Sequence, residues 1–187
     1  MCTKACRVRS PLRNNWEVAV SKPLDVLLIT PPSRVQVYQE LSRDFAAIEP
    51  PVWSGLIATF LRQHSCSVAI LDAEAEGLNH QQTADRIAAI APRLAVFVIY
   101  GQQPSASTQC MPAGRKVCEI LTALADIPTL VMGTHPSALP KRTLLEEPYT
   151  YVCQGEGPAT ILGLVIALRA PQHSLREVPG LWHMAKG

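Results

Sequence analysis

From Asp25 onward the chain alternates between short, continuous apolar runs and longer stretches of helical periodicity. Asp25-Val-Leu-Leu-Ile-Thr30 is apolar along its whole interior and is stopped by Pro31-Pro32-Ser33. Runs of this kind mark strands buried on both faces, as in a parallel sheet. Apolar residues then recur at Trp53, Leu56, Ile57, Phe60 and Leu61, the i, i+3, i+4, i+7, i+8 spacing of an amphipathic helix, with Pro50-Pro51 just before it. Ser67-Val-Ala-Ile-Leu71, closed by Asp72, predicts a second strand. Ala84, Ile87, Ala88 and Ala91 give a second helical face ended by Pro92, and Leu94-Ala-Val-Phe-Val-Ile-Tyr100 reads as the third strand. Residues 101–107 read as a loop, followed by a helix whose core face carries Val117, Ile120, Leu121 and Leu124. Pro128-Thr-Leu-Val-Met132 is the fourth strand and leaves through Gly133-Thr134-His135. Tyr151-Val-Cys153 is the fifth, leaving through Gln154-Gly155-Glu156-Gly157, and residues 158–168 form a helix that is apolar almost all round.

Five strands alternating with helices predict an α/β fold: a Rossmann-like or flavodoxin-like, doubly wound, five-stranded and mainly parallel sheet with helices on both faces. In such a sheet every strand exits at one rim. Residues 30–33, 72–79, 101–107, 133–137 and 154–157 therefore gather there. In the flavodoxin-like order the switch point lies between the first and third strands, and ligands bind outside the carboxyl ends at that point.

The length, 187 residues, allows one domain with a modest extension. Residues 1–22 are basic, polar and without periodicity, and read as an arm ahead of a domain over 23–187. A net charge of +2 is far too small for nucleic-acid binding. The 48% hydrophobic content supplies a core and excludes disorder for most of the chain. The longest apolar runs fall short of the ~20 residues that cross a bilayer, and the N-terminus lacks an apolar signal core, so a cytoplasmic protein is expected. Six cysteines stand at 2, 6, 66, 110, 118 and 153 with no C-x-x-C. Cys66 and Cys153 fall in or beside strands, where a thiol acts as a small hydrophobe. Cys2 and Cys6 have a C-x-x-x-C spacing, but Arg9 stands three residues on, so the three-cysteine signature of a radical-SAM iron–sulfur site is absent. No zinc set is spaced for four ligands either. Neither a metal site nor a catalytic residue is expected.

The rim loops are built of Thr, Ser, Gln, Gly, Pro and one His. Hydroxyls, side-chain amides and Gly-exposed backbone suit a large ligand that presents amides and a phosphate, and do not suit acid–base chemistry. Dinucleotide and P-loop glycine motifs are missing after the first strand. His135 either contacts a ligand or caps the following turn. Asp72 either meets a ribose hydroxyl or caps a helix. Glu156 suits both a ligand contact and a helix N-terminus. Gly133 is required by its backbone, for a positive φ and for close approach of a ligand.

Taken in order, Ile29-Thr-Pro-Pro-Ser33, Glu49-Pro-Pro-Val-Trp-Ser-Gly55, Ala69-Ile-Leu-Asp-Ala73, Val131-Met-Gly-Thr-His135 and Gln154-Gly-Glu-Gly157 resemble the cobalamin-binding domain of cobalamin-dependent radical-SAM enzymes, which are methyltransferase-like. The likeness runs from about Asp25 to Trp182, and Val178-Pro-Gly-Leu-Trp182 resembles the strand that closes this domain. The resemblance implies that residues 23–187 clamp the corrin against the rim and bury its nucleotide tail in the sheet. It assigns Tyr100, Gly101, Gln102, Gln103 and Ser105, with Gly133, Thr134 and His135, to the tail pocket. Gly155, Glu156 and Gly157 would flank that pocket. Pro31, Pro32 and Ser33, and the loop carrying Ala73 and Glu74, would approach the corrin. Met132 stands where the family often has a further Gly, and the D-x-H-x-x-G of methyl-cobalamin proteins is missing after the first strand. Cobalamin without a histidine lower ligand is therefore the expected cofactor.

The barrel that carries C-x-x-x-C-x-x-C in such enzymes is not in this sequence, so an iron–sulfur cluster and S-adenosylmethionine are expected only in a longer relative. The chain as it stands would not be catalytic. It reads as a fragment of a methyltransferase-like enzyme or a free-standing carrier, with a radical-SAM barrel domain or subunit as partner. The alternative is a flavodoxin-like regulatory or docking domain that binds no cofactor.

Overall fold

The computed structural model describes residues 23–42, 47–101, 104–170 and 172–184. The arm read at 1–22 lies outside the described residues. The elements run β1 (Val26–Thr30), α1 (Arg34–Tyr38) with a 3₁₀ turn at Gln39–Ser42, α2 (Val52–Gln63), β2 (Val68–Asp72), α3 (His80–Ile90), β3 (Leu94–Val98), α4 (Pro104–Leu124) and β4 (Thr129–Met132). There follow α5 (Thr134–Ala138), α6 (Pro140–Glu146), β5 (Tyr151–Cys153), α7 (Pro158–Arg169) and, after a 3₁₀ turn at Leu175–Glu177, β6 (Leu181–His183).

The sheet order is β2-β1-β3-β4-β5-β6. β1 to β5 pair in parallel and β6 adds antiparallel to β5. The expected doubly wound α/β fold is present, with six strands in place of five. The sixth comes from the tail that the resemblance assigned to a closing strand. It is three residues long and half-exposed throughout, too short to carry a period of its own.

Strand alternation sends the side chains of β1 to opposite faces. Val26 and Leu28 join Ile57 and Leu61 of α2 and Leu164 and Val165 of α7. Leu27 and Ile29 join Ala84 and Ile87 of α3 and Val117 and Leu121 of α4. α2 and α7 thus cover one face, α3 and α4 the other. α3 opens on a capping box in which the Asn79 side chain accepts from the Gln82 N–H and Gln82 reaches back to the Asn79 N–H.

Two expectations change. The stretch read as a loop at 101–107 ends early, because α4 begins at Pro104, a residue pre-organised for a first helical turn. The buried stripe of α2 is Ser54, Ile57, Ala58 and Leu61, whereas Trp53 and Leu56 face outward at 43% and 59% exposure. Both stripes obey the helical period; the one with smaller residues lies against the sheet.

At the amino-terminal rim, Asp25 draws β1, β2 and α7 together. Its carboxylate accepts from the Ser67 N–H at 2.8 Å and hydroxyl at 2.7 Å and pairs with Arg169 at 2.7 Å. Arg93 adds a third cationic or hydroxyl partner at 3.7 Å.

Candidate functional site

At the opposite rim a cavity of about 370 Å³ opens between the carboxyl ends of β1 and β3. This is the switch point of the 2-1-3-4-5 order, where neighbouring loops diverge and leave a crevice. Thr30 and Ser33 come from the exit of β1, and Val98, Tyr100 and Gly101 from that of β3. Pro50, Pro51, Trp53 and Ser54 come from the start of α2, Ala106 and Cys110 from α4, and Glu74 from the loop after β2.

The loops after β1 and β2 are joined by Glu74. One carboxylate oxygen accepts from the Ser33 and Arg34 backbone N–H groups at 2.7 and 2.8 Å, and the other from Arg34 Nε at 3.3 Å. An acid at the open N–H groups of a first turn is favourable. On the far wall Trp53 stacks on Tyr100 with ring centroids 4.7 Å apart and planes 19° apart. Gly101 makes the turn out of β3, where a Cβ would collide with the Ala106 side chain.

The charged residues of the crevice lining are Arg34, Glu49 and Glu74. Burial, with smaller contributions from Cys153 and Glu156, pushes the Tyr100 hydroxyl above its ordinary range. Burial likewise raises the Cys110 thiol against a hydrogen bond with Ser33 that lowers it. Both stay protonated at neutral pH. Val35, Tyr38, Val52, Trp53 and Leu56 leave an exposed apolar collar on α1 and α2. Ser54 is 1% exposed, and its Oγ is buried with no hydrogen-bond partner among the described residues. A buried hydroxyl left unpaired costs about 1–3 kcal/mol, and this one lies in the wall of the cavity. An apolar collar, an aromatic wall and one orphan donor fit a large organic cofactor with a polar extension.

Of the residues read as site residues in the sequence, Ser33, Glu74, Tyr100 and Gly101 line the crevice. Pro31 and Pro32 belong to the loop that brings Ser33 there, and Ala73 is fully buried beside Glu74. Gln102 and Gln103 lie outside the described residues. Ser105 belongs to the first turn of α4, and its side chain is likewise outside the description.

The remaining six lie at the exits of β4 and β5 and do not line the crevice. Gly133 has φ +150°, and a Cβ there would strike the Ile99 carbonyl and crowd Ser107 Oγ at 2.9 Å. Its close approach is to the protein's own chain. Thr134 opens α5, and the His135 N–H donates to Ser107 Oγ at 3.1 Å, which itself donates to the Ile99 carbonyl at 2.6 Å. The His135 ring bonds Thr108 Oγ1 through Nδ1 at 2.9 Å, beside a second cavity on the α4 side. The Gly155 N–H donates to Ser137 Oγ at 2.8 Å, Glu156 is exposed, and Gly157 holds φ +95° against Met132. Asp72, read as a ribose contact or a helix cap, accepts instead from the Ala75 N–H at 3.1 Å and closes a turn; Asn79 is the helix cap. Trp53, Ser54 and Ser107 were not singled out as site residues. A serine within a helix has no distinctive spacing, and only the packed fold shows its partners.

Among the described residues no three His, Cys, Asp or Glu side chains gather to hold a metal ion, and no helix is long and apolar enough to cross a membrane. Cys66, Cys118 and Cys153 are buried free thiols, and the two in or beside strands, Cys66 and Cys153, pack in the core as expected.

The B12 binding domain family matches residues 41–165. No curated protein matches the sequence. Among solved structures, the chain is similar to the radical S-adenosylmethionine methyltransferase TsrM from Kitasatospora setae, with tryptophan substrate and a SAM analogue bound. The TM-score is 0.65 at 18% identity, over 87% of this chain and 28% of that one. It is also similar to the cobalamin-dependent S-adenosylmethionine radical enzyme OxsB with aqua-cobalamin and S-adenosylmethionine bound. There the TM-score is 0.64 at 16% identity, over 87% of this chain and 21% of that one. The chain thus spans about a quarter of the length of the proteins whose fold it shares.

Proposed function

The chain belongs to the B12 binding domain family, and from that premise we propose that it holds cobalamin in the β1/β3 crevice as the cofactor module of a radical-SAM methyltransferase-like system. The observation that carries this reading is the crevice itself: an apolar-collared cavity at the switch point, with an orphan Ser54 hydroxyl in its wall. Trp53, Tyr100 and Ser54 would hold the part of the cofactor that enters. Ser33 and the Glu74-braced loops would border it, and the exposed collar of α1 and α2 would meet the macrocycle. Bound cobalamin supplies a cobalt centre able to carry a methyl group.

The chain's own contribution is binding, orientation and exclusion of water, since Tyr100 and Cys110 are held protonated. The reading calls for cobalamin without a histidine lower ligand, because the segment from Pro31 to Pro51 after β1 contains no histidine. A radical-SAM domain or subunit is the partner this reading calls for. The iron–sulfur cluster and S-adenosylmethionine would belong to that partner.

The test is incubation of the purified protein with hydroxocobalamin, desalting, and a visible spectrum. A retained corrin spectrum at near one per chain is expected. A colourless protein that melts cooperatively would overturn the proposal and favour a cofactor-free docking domain.

A further inference from the structure

We infer that the open edge of β6 and the groove beside α6 form a twofold contact with a second copy of this chain. The inference is independent of what the crevice holds.

β6 ends the sheet order, so its outer side has no neighbouring strand. The Gly180 carbonyl accepts from the Gln154 N–H at 2.8 Å, which sets the alternation: Gly180 and Trp182 face β5, and Leu181 and His183 face away. The Leu181 N–H is taken by the Val178 carbonyl at 3.3 Å. The Leu181 carbonyl and the His183 N–H are left without a ladder partner among the described residues. Native edges are blunted by lysine, proline, bulges or a cover. β2, the other edge, follows that rule, because Arg62 Nη2 donates to the outward Val68 carbonyl at 2.9 Å. β6, Leu181-Trp182-His183, has no such guard apart from its shortness.

Three residues alone make a weak junction, and the groove beside them supplies the rest. A cavity of about 450 Å³ lies between α6 and Trp182, lined by Leu139, Pro140 and Leu145. Leu145 is 62% exposed, and Leu139 and Met184 are exposed with it.

Symmetry and charge single out a second copy as the occupant. α6 leads from the exit of β4 to the start of β5, so it runs alongside β6, which is antiparallel to β5. A twofold axis through Trp182, perpendicular to the sheet, sets β6 antiparallel to its copy. Each His183 N–H then meets the other copy's Leu181 carbonyl. The same axis reverses α6 and brings Lys141, in its first turn, opposite Glu146, in the last turn of the other copy. Lys141 is exposed and has no ion-pair partner among the described residues, while Glu146 holds Arg142 at 2.8 Å within its own chain. Leu139 and Leu145 are exchanged across the axis in the same way and cover each other. An isologous contact needs such a self-complementary patch. The two crevices would open at opposite ends of one continuous sheet, so both stay accessible.

The experiment is sedimentation velocity of the full chain without cofactor, from low micromolar to submillimolar concentration, with melting curves for each variant. A three-residue edge and one groove belong with small interfaces, so a reversible monomer–dimer equilibrium is expected. Leu145→Glu, which puts a carboxylate into the groove, should weaken dimerisation roughly tenfold or more. Lys141→Glu and Glu146→Lys should each weaken it about threefold, and the double variant should return to near the parent. The His183 amide should exchange hydrogen more slowly as the dimer forms. A parent that stays monomeric throughout, or a dimer unmoved by Leu145→Glu and by both single charge changes, would overturn the inference. A monomer with a protected His183 amide would overturn it too, and would point to cover by another segment of the chain. Should Leu145→Glu fail to fold, the three charge variants, all at exposed positions, decide the matter.

Discussion

Asp25 gathers Ser67, Arg169 and Arg93 at the start of β1, and its titration should be visible in the stability of the whole chain. Burial alone would raise its carboxyl, but hydrogen bonds from Arg169 and Ser67 and the Arg169 charge outweigh that and hold it at about 2. The folded value lies below the unfolded one of about 3.9, so the contribution is full above that value and fades as pH falls toward the folded one. The difference corresponds to up to about 2.6 kcal/mol. Asp25→Asn should therefore unfold at lower urea than the parent at pH 7, with a gap that closes as the pH is taken from 5 to 2.5. A gap independent of pH would show that the charge is immaterial. Gly133 belongs to the same scale. Because φ is +150° and the Ile99 carbonyl fills the Cβ position, Gly133→Val should lose at least about 2 kcal/mol without any ligand, checked by apo denaturation. The need for glycine was legible in the sequence, but the neighbour that enforces it was not. A turn after a strand signals close approach of something, and only the fold shows that the something is the chain itself.

Among the elements, α2 is the most instructive. Trp53, Leu56, Ile57, Phe60 and Leu61 have faultless helical spacing, and the helix they predict is there, yet Leu56 is 59% exposed while Ser54 and Ala58 are buried. Periodicity fixes that a helix has an apolar face but not how that face is rotated. Here the start of α2 must serve the rim as well as the core. Ile57→Ala should cost about 2–5 kcal/mol, whereas Leu56→Ala should stay within about 0.5 kcal/mol, both read from urea midpoints at constant slope. Continuous apolar strands were fully legible because burial on both faces leaves no alternation to misread. β6 was legible only through its likeness to a closing strand. A cavity lies at the switch point that strand order points to, and of the thirteen residues read as site residues whose side chains are described, four line it. A resemblance carries loops by their place in the order of elements, and the side chains of neighbouring exits then segregate according to local packing.

For the molecule as a whole, a ligand that binds only the folded chain stabilises it by about 2.7 kcal/mol at a hundredfold excess over Kd. For a chain of this length that corresponds to a rise in Tm of roughly 5–10 °C, measurable by calorimetry with hydroxocobalamin. No rise at saturating cofactor would contradict the proposed function independently of the spectrum. Purification without iron is also expected, because Cys66, Cys118 and Cys153 are buried free thiols, Cys110 is half-buried, and Cys2 and Cys6 lack a third partner at radical-SAM spacing. Stoichiometric iron after anaerobic reconstitution, lost in Cys2→Ser/Cys6→Ser, would overturn this.

The Asp25 cluster and the crevice sit at opposite ends of the same strands, and five residues of β1 at about 3.3 Å each put roughly 16 Å between them. Substitutions separated by more than about 10 Å without shared partners act additively. Selection on resistance to acid and selection on cofactor preference can therefore proceed on this scaffold without interfering. A library confined to the residues around Asp25 would raise or lower thermal endurance at constant affinity, and one confined to α1 and the start of α2 would do the reverse. The parallel sheet is an insulator between two independently evolvable traits.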